Sequence, residues 1–343
     1  MTASDTPQSP PRWTRVLVTG GAGFIGSACV WALNRAGVEA IVVCDRLGTD
    51  EKWRNLAPLR FEDYLEADDL IPRLEIGALG RFDLVLHLGA CSATTERDAS
   101  YLARNNYEFT KELAHWALAH DARFVYASSA ATYGDGTQGM SDADQSATGL
   151  GRLRPLNAYG YSKQLFDLYA ARAGMLERII GLKYFNVFGP NEAHKGDMRS
   201  LVDKAYRQIV STGRMQLFRS HRAGIADGEQ QRDFCYVKDA VAMTLHLAGA
   251  AGAGGLYNVG SGEANTWLTL ARALFAAMGR EPMIDFVDMP EAIRDKYQYY
   301  TCADVSRVRA AGYAAPMTLL ADAVQDYVQG YLATDARLDP AVG

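Results

Sequence analysis

At 343 residues the chain suits one large α/β unit or a nucleotide-binding domain with a smaller companion, and 48% hydrophobic against 22% charged residues is the balance of a globular protein. A formal net charge of -5 offers no general attraction to nucleic acid or an anionic membrane surface, which argues against polyanion binding as the main task. The five cysteines, at 29, 44, 91, 235 and 302, show neither CxxC nor Cys/His ligand spacing, so no metal centre is expected and the protein reads as a reduced, soluble, cytoplasmic one.

Residues 1–14 are polar and Pro-containing without an apolar stretch, which predicts a flexible tail, and no later run of about 18 apolar residues could span a bilayer. Residues 15–19 form a short β-branched run that meets Gly20, Gly21, Ala22, Gly23, Phe24, Ile25 and Gly26, and residues 27–35 have helical character. Strand, glycine turn and helix in that order suit a dinucleotide. Glycines at 20, 23 and 26 permit a tight turn, close backbone approach to a pyrophosphate and close helix–strand packing, with the phosphates at the helix N-terminus. A second buried strand, 40–44, ends in Asp45 and Arg46, with Lys52 a little beyond. An acid there binds the ribose hydroxyls of NAD and a neighbouring cation accepts the 2′-phosphate of NADP. The trio tilts the expectation to NADP and leaves NAD open.

Residues 82–88 read as a central strand that opens, from Leu88, into the small residues Gly89, Ala90, Cys91 and Ser92, leaving room for a cofactor. His87 sits in an apolar strand and is expected to be a satisfied core histidine. Asn105 and Asn106 open a helix over 107–120, where Asn105 either contacts the cofactor or caps backbone groups. The next strand, 122–127, delivers Ser128 and Ser129, hydroxyls able to align a reacting carbinol. Thirty residues on, Asn157 opens NAYGYSK, in which Tyr159 and Lys163 are four apart. On a helix they share one face, and an ammonium beside a phenol favours the phenolate.

Through TGGAGFIG (19–26), Asp45, SSAATYG (128–134) and YGYSK (159–163), the chain from residue 15 onward resembles the extended short-chain dehydrogenase/reductase family. The resemblance implies an α/β fold: a doubly wound parallel Rossmann sheet binding NAD(P), with a smaller C-terminal α/β domain for a nucleotide-linked sugar. It implies that Ser129 aligns the substrate, Tyr159 exchanges its proton, and Lys163 lowers the phenol's pKa and touches the nicotinamide ribose.

Residues 179–185 are a further strand leading to Asn186, Val187 and a Gly-Pro break at 189–190, then a polar loop and a helix over 200–210. The stretch HKGDM (194–198), with GACS (89–92), NAYGYSK and RDF (232–234), is similar to the ADP-L-glycero-D-manno-heptose 6-epimerase branch of that family. A dehydratase of the class typically carries an Asp-Glu pair after the aligning hydroxyls, where Ala130, Ala131, Thr132, Tyr133 and Gly134 stand here. The branch implies inversion at C6″ of an ADP-heptose for lipopolysaccharide core synthesis, and a homo-oligomer such as a pentamer; other nucleotide-sugar epimerases and dehydratases share the remaining motifs. Inverting a carbinol without an acidic proton is simplest by hydride removal and return to the opposite face, and one fixed acid/base serves one face poorly. The resemblance implies Lys195 as the second base. Its alternatives are a phosphate contact or a solvated loop charge.

Cations at Arg219, Arg222 and Arg232 suit the pyrophosphate of a nucleotide sugar, since guanidinium forks match it bidentately. The resemblance adds Asn186, Asp197, Lys204, Phe218, Ser220, His221 and Tyr297 on the substrate side and Val187 beside the cofactor. Asp197 departs from members with Ser there, and the 223–231 loop is longer than in some. A last strand and turn are read at 256–262, helices at 267–278 and 317–332, and an aromatic cluster at 297–300 that either stacks on adenine or packs the small domain. The expected division is a cofactor domain of 15–189 with 232–264 and a substrate domain of 190–231 with 265–335.

Overall fold

Runs of Val, Leu and Ile that are buried on both faces assemble the centre of the molecule, as all-parallel sheets require. The computed structural model describes residues 12–294 and 297–342. Among them the strands are β1 (Val16–Thr19), β2 (Ile41–Asp45), β3 (Asp63–Glu66), β4 (Leu84–His87), β5 (Arg123–Ser129), β6 (Ile179–Tyr184), β7 (Asn186–Phe188), β8 (Met215–Phe218), β9 (Gln231–Tyr236), β10 (Gly255–Val259), β11 (Ala264–Thr266) and β12 (Ile284–Val287). Seven of these pair in parallel in the order β10-β6-β5-β4-β1-β2-β3.

Alternate residues of each strand feed two cores: Val16, Val18, Ile41 and Val43 pack on one face, and Leu17, Val42 and Phe124 on the other. Helices therefore cover both sides, the doubly wound arrangement. The strand order reverses between β1 and β4, and a crevice opens there beyond their C-terminal ends. Two smaller sheets, β11-β9-β7 and β12-β8, complete the strand arrangement.

Several boundaries differ from expectation for physical reasons. Residues 1–11 of the expected tail lie outside the described residues, whereas Trp13 packs on the core and the Thr14 amide donates to Asp83 at 2.6 Å, so the end of that segment is docked. Edge strand β3 went unread because Leu65 is its one fully buried side chain and no apolar alternation marks it. The helix expected from 107 begins at Ala99, capped by Asp98, whose carboxylate accepts from the Tyr101 amide at 2.8 Å. A π-helical turn, Ala103–Glu108, joins that start to Phe109–Ala119, so Asn105 and Asn106 lie within the helical run rather than opening it. Among the described residues no helix is long and apolar enough to cross a membrane.

Candidate active site

The glycine turn after β1 is shaped by contacts that exclude any side chain. A Cβ on Gly26 would lie 2.0 Å from the Gly20 carbonyl oxygen, and one on Gly20, whose φ is +67°, would meet the Gly89 backbone at 2.6 Å. Gly23 is less crowded, with Gly20 O at 3.1 Å, so its bareness serves the open side of the turn. The helix that follows, Phe24–Arg35, has no side-chain N-cap, which leaves first-turn amides facing the cleft for an anion. At the end of β2, Asp45 Oδ2 accepts from the amides of Ala22 (2.9 Å) and Gly23 (3.1 Å), while Oδ1 accepts from the Arg46 amide (2.7 Å) and Lys52 Nζ (3.2 Å). A cradle of this shape fits a dinucleotide.

One cleft of about 500 Å³ is lined by Gly20, Gly23, Phe24, Ile25, Gly26, Asp45 and Lys52, by Leu88, Gly89, Ala90, Cys91 and Ser92, and by Ser129, Tyr159, Lys163, Val187 and Lys195. Arg46 and Asn105 line the adjoining cavity beside Asp45 and Lys52, and Arg46 there pairs with exposed Asp68 at 2.5 Å. His87 is fully enclosed: Nδ1 lies 2.6 Å from Thr19 Oγ1 and Nε2 2.8 Å from Thr110 Oγ1, and burial holds its pKa down to about 3. It is a neutral core histidine, as its apolar strand suggested.

Tyr159 and Lys163 project from the helix Ala158–Arg172, whose N-cap Asn157 accepts from the Gly160 amide at 2.8 Å. The resemblance implies a phenol lowered by Lys163, but burial raises the Tyr159 phenol above its ordinary value, and the Ser129 hydroxyl beside it, not Lys163, is what opposes the rise. Burial likewise pulls the Lys163 ammonium down to about 8, with the carboxylate of Asp167 acting against it. Asn106, unassigned from the sequence, anchors the cleft floor. Its amide accepts from Cys91 N–H (2.9 Å) and donates to Cys91 C=O (2.9 Å) and Ser162 Oγ (3.0 Å), fixing the loop after β4 to the Tyr159 helix.

Lys195 reaches the same cleft from a separate element, the 3-10 segment Ala193–Met198, in which Gly196 takes φ +52°. Its ammonium lies 5.1 Å from the Phe24 ring centre, and burial lowers its pKa against the pull of Glu192. Glu192 is itself fully buried and was missed from sequence. It accepts from the Ser200 hydroxyl (2.6 Å) and Gly189 amide (3.2 Å), pinning both ends of the Lys195 loop, and its position three before Lys195 was the available signal.

Two further cavities adjoin. One, about 620 Å³, is lined by Lys195, Asn186, Lys204, Phe218 and Tyr297, together with Gln208, Gln216 and Trp267. The other shares Ser129 and Tyr159 with the cleft and adds Arg232, Asn186, Tyr297 and Gln298. Arg232 is 6% exposed and has no carboxylate partner among the described residues. Its guanidinium sits 5.0 Å from the Tyr297 ring centre and 5.7 Å from that of Trp267, and Trp267 Nε1 donates to the Tyr297 hydroxyl at 2.8 Å. No local pattern in the sequence marks Trp267, which meets Tyr297 only through folding. Arg219, Ser220, His221 and Asp197 do not line these walls. The Ser220 amide donates to Asp227 (2.7 Å), Arg219 lies 3.6 Å from Asp227, the His221 amide donates to Tyr299 OH (3.0 Å), and the Asp197 carbonyl accepts from Lys204 Nζ (3.3 Å).

A model of the NAD dependent epimerase/dehydratase family matches residues 16–260. The ADP-L-glycero-D-manno-heptose-6-epimerase of Nitratidesulfovibrio vulgaris strain Hildenborough is 54% identical over 318 residues, which cover 92% of this chain and 98% of that protein. The protein of the same name from Fusobacterium nucleatum is 41% identical over 93% of this chain and 98% of its own length. The crystal structure of Helicobacter pylori ADP-L-glycero-D-manno-heptose-6-epimerase superposes with a TM-score of 0.78 at 25% identity, covering 92% of this chain and 96% of that one.

Proposed function

The chain belongs to the NAD-dependent epimerase/dehydratase family, and from that premise we propose that it is an isomerase inverting C6″ of an ADP-linked glycero-manno-heptose, interconverting the D-glycero and L-glycero forms. The observation that carries this reading is that Tyr159 and Lys195 enter one cleft from different elements. A bound nicotinamide supplies hydride acceptance and return at the carbon being inverted. Everything else falls to side chains of this chain. Tyr159, contacted by Ser129, exchanges the C6″ hydroxyl proton on one face, and Lys195, whose ammonium burial makes easier to discharge, serves the other. Because each group is held on its own scaffold, one on a helix and one on a loop pinned by Glu192, the oxidised sugar can turn between them without either moving.

Arg232, a buried guanidinium without a carboxylate, supports binding of the sugar nucleotide's pyrophosphate; the cavity of Gln208, Gln216 and Phe218 would then take the adenosine. We read the cofactor as NADP. Asp45 already accepts four hydrogen bonds, two from the glycine turn, one from the Arg46 amide and one from Lys52, which leaves it little capacity for a ribose hydroxyl, while Arg46 and Lys52 flank the same spot as cations. The division into a cofactor domain (15–189 and 232–264) and a substrate domain (190–231 and 265–335) accompanies this reading. Incubation with ADP-D-glycero-β-D-manno-heptose and, separately, with UDP-galactose tests it: the heptose epimers should equilibrate without net change in nicotinamide absorbance. Turnover of UDP-galactose alone would overturn it.

A further inference from the structure

Behind Lys163 the protein buries an ion pair that lines none of the cavities described above. Lys183 on β6 and Asp167 on the Tyr159 helix are 1% and 0% exposed, and Lys183 Nζ donates to Asp167 Oδ2 at 2.7 Å. Tyr126 and Ser128 on β5 also donate to this carboxylate, at 2.9 and 2.8 Å. Lys183 donates in addition to Thr132 Oγ1 (2.7 Å), whose hydroxyl in turn donates to the Ser129 carbonyl (2.8 Å). A buried ion pair is often no more stabilising than an apolar replacement, so three donors converging on one carboxylate ask for another purpose.

Asp167 follows Lys163 by four residues, one helical turn away on the same face. Lys163 is 4% exposed and forms no ion pair of its own among the described residues. The titratable groups facing it are Tyr159 and Asp167 on its own helix, Cys91 on the loop after β4, and neutral His87 at the end of β4. Asp167 is the carboxylate among them. Burial works to discharge the Lys163 ammonium, and Asp167 is the leading influence that opposes it.

We propose that Asp167 is a positioning residue for the reaction: held by Lys183, Tyr126 and Ser128, its carboxylate keeps the Lys163 ammonium charged across neutral pH, and Lys183 limits how much of that negative charge Lys163 feels. This rests on the epimerase reading only in taking Lys163 as the cation that supports Tyr159. Two substitutions should therefore act with opposite sign. Asp167→Asn lets Lys163 lose its proton at lower pH, whereas Lys183→Met leaves Asp167 free to act on Lys163 and moves that loss to higher pH.

The experiment is a 13C NMR titration of the Lys163 side chain in lysine-labelled protein, its signal assigned by its disappearance in Lys163→Met, together with the pH profile of kcat. The Lys163 midpoint and the basic limb of kcat should both fall by about one pH unit in Asp167→Asn and rise in Lys183→Met, the effect of one nearby opposite charge. Unmoved midpoints in both variants overturn the proposal, whatever happens to activity, because a merely structural pair would lower kcat without shifting the titration. Should either single variant fail to fold, Asp167→Asn/Lys183→Met removes both charges and should keep a smaller downward shift; no shift overturns the proposal equally. A midpoint that shifts in a protein inactive on the heptose supports this inference while refuting the epimerase reading. Turnover with fixed midpoints does the reverse.

Discussion

Replacing Arg232 by Met should separate binding from stability. The guanidinium is 6% exposed with no carboxylate partner among the described residues; it donates to the Gln231 carbonyl at 2.8 Å and rests between the rings of Tyr297 and Trp267. Burying such a charge costs several kcal/mol. Two cation–π contacts return about 1 kcal/mol each, and a hydrogen bond from a charged donor about 1.5–3 kcal/mol. These terms nearly cancel, so Met, which fills similar volume without a charge, should leave the free protein's stability unchanged or raise it by about 1 kcal/mol. In a chain of this size that is a Tm change of no more than about 2–4 °C. Binding of a diphosphate is different. Two charge-assisted hydrogen bonds to phosphate oxygens, at about 1.5–3 kcal/mol each, amount to a loss of at least about 100-fold in affinity. Calorimetry with ADP and thermal denaturation of the same sample measure both quantities. If Arg232→Met bound ADP as tightly as the parent and lost more than about 2 kcal/mol of stability, Arg232 would be a structural residue and the assignment wrong.

Cofactor selectivity should hinge on Arg46: Arg46→Ala is expected to weaken NADPH binding about tenfold, one charge-assisted bond, and NADH binding little, as read by fluorescence titration. Equal losses would refute the assignment of the 2′-phosphate. Two neighbouring glycines should behave differently under the same change. Gly26→Ala drives a Cβ into the Gly20 carbonyl and should cost at least about 3 kcal/mol in a denaturant titration, whereas Gly23→Ala, with 3.1 Å to the same atom, should stay folded and bind cofactor poorly. Acid sensitivity should come partly from His87, whose folded pKa near 3 lies below its ordinary 6.5. Between those values the unfolded chain holds the extra proton, so the stability is full above pH 6.5 and is lost as pH falls. About 2 kcal/mol should disappear between pH 6.5 and 5 in urea titrations, and a folded His87→Gln variant should show a shallower decline.

What could be read from the chain before folding was whatever local spacing encodes. The Gly20, Gly23 and Gly26 turn, the acid after β2, and Tyr159 with Lys163 each obey a short-range rule, strand to helix or i to i+4, and the Rossmann sheet follows from the order of such units. Residues defined by encounters across the fold escaped. Asn106 was read as part of a helix start, yet its amide works across 15 residues on Cys91 and across 56 on Ser162. Arg232, Trp267 and Tyr297 converge from three separate parts of the chain. Polarity misled in the other direction. The cations of 219–222 looked like a phosphate site, but folding gives Arg219 and the Ser220 amide to Asp227, so charge alone did not say whether a guanidinium would be claimed from within.

The central claim is that two groups entering one cleft from different elements carry the inversion. The most direct test follows, by NMR, the approach to equilibrium of the ADP-heptose epimers with Tyr159→Phe and Lys195→Met, each checked for retained cofactor. Loss of a general acid/base is worth about 10²–10⁴ in rate. Both variants should fall by that much from either epimer while still binding cofactor. Epimerisation by Lys195→Met at the parent rate would contradict the account.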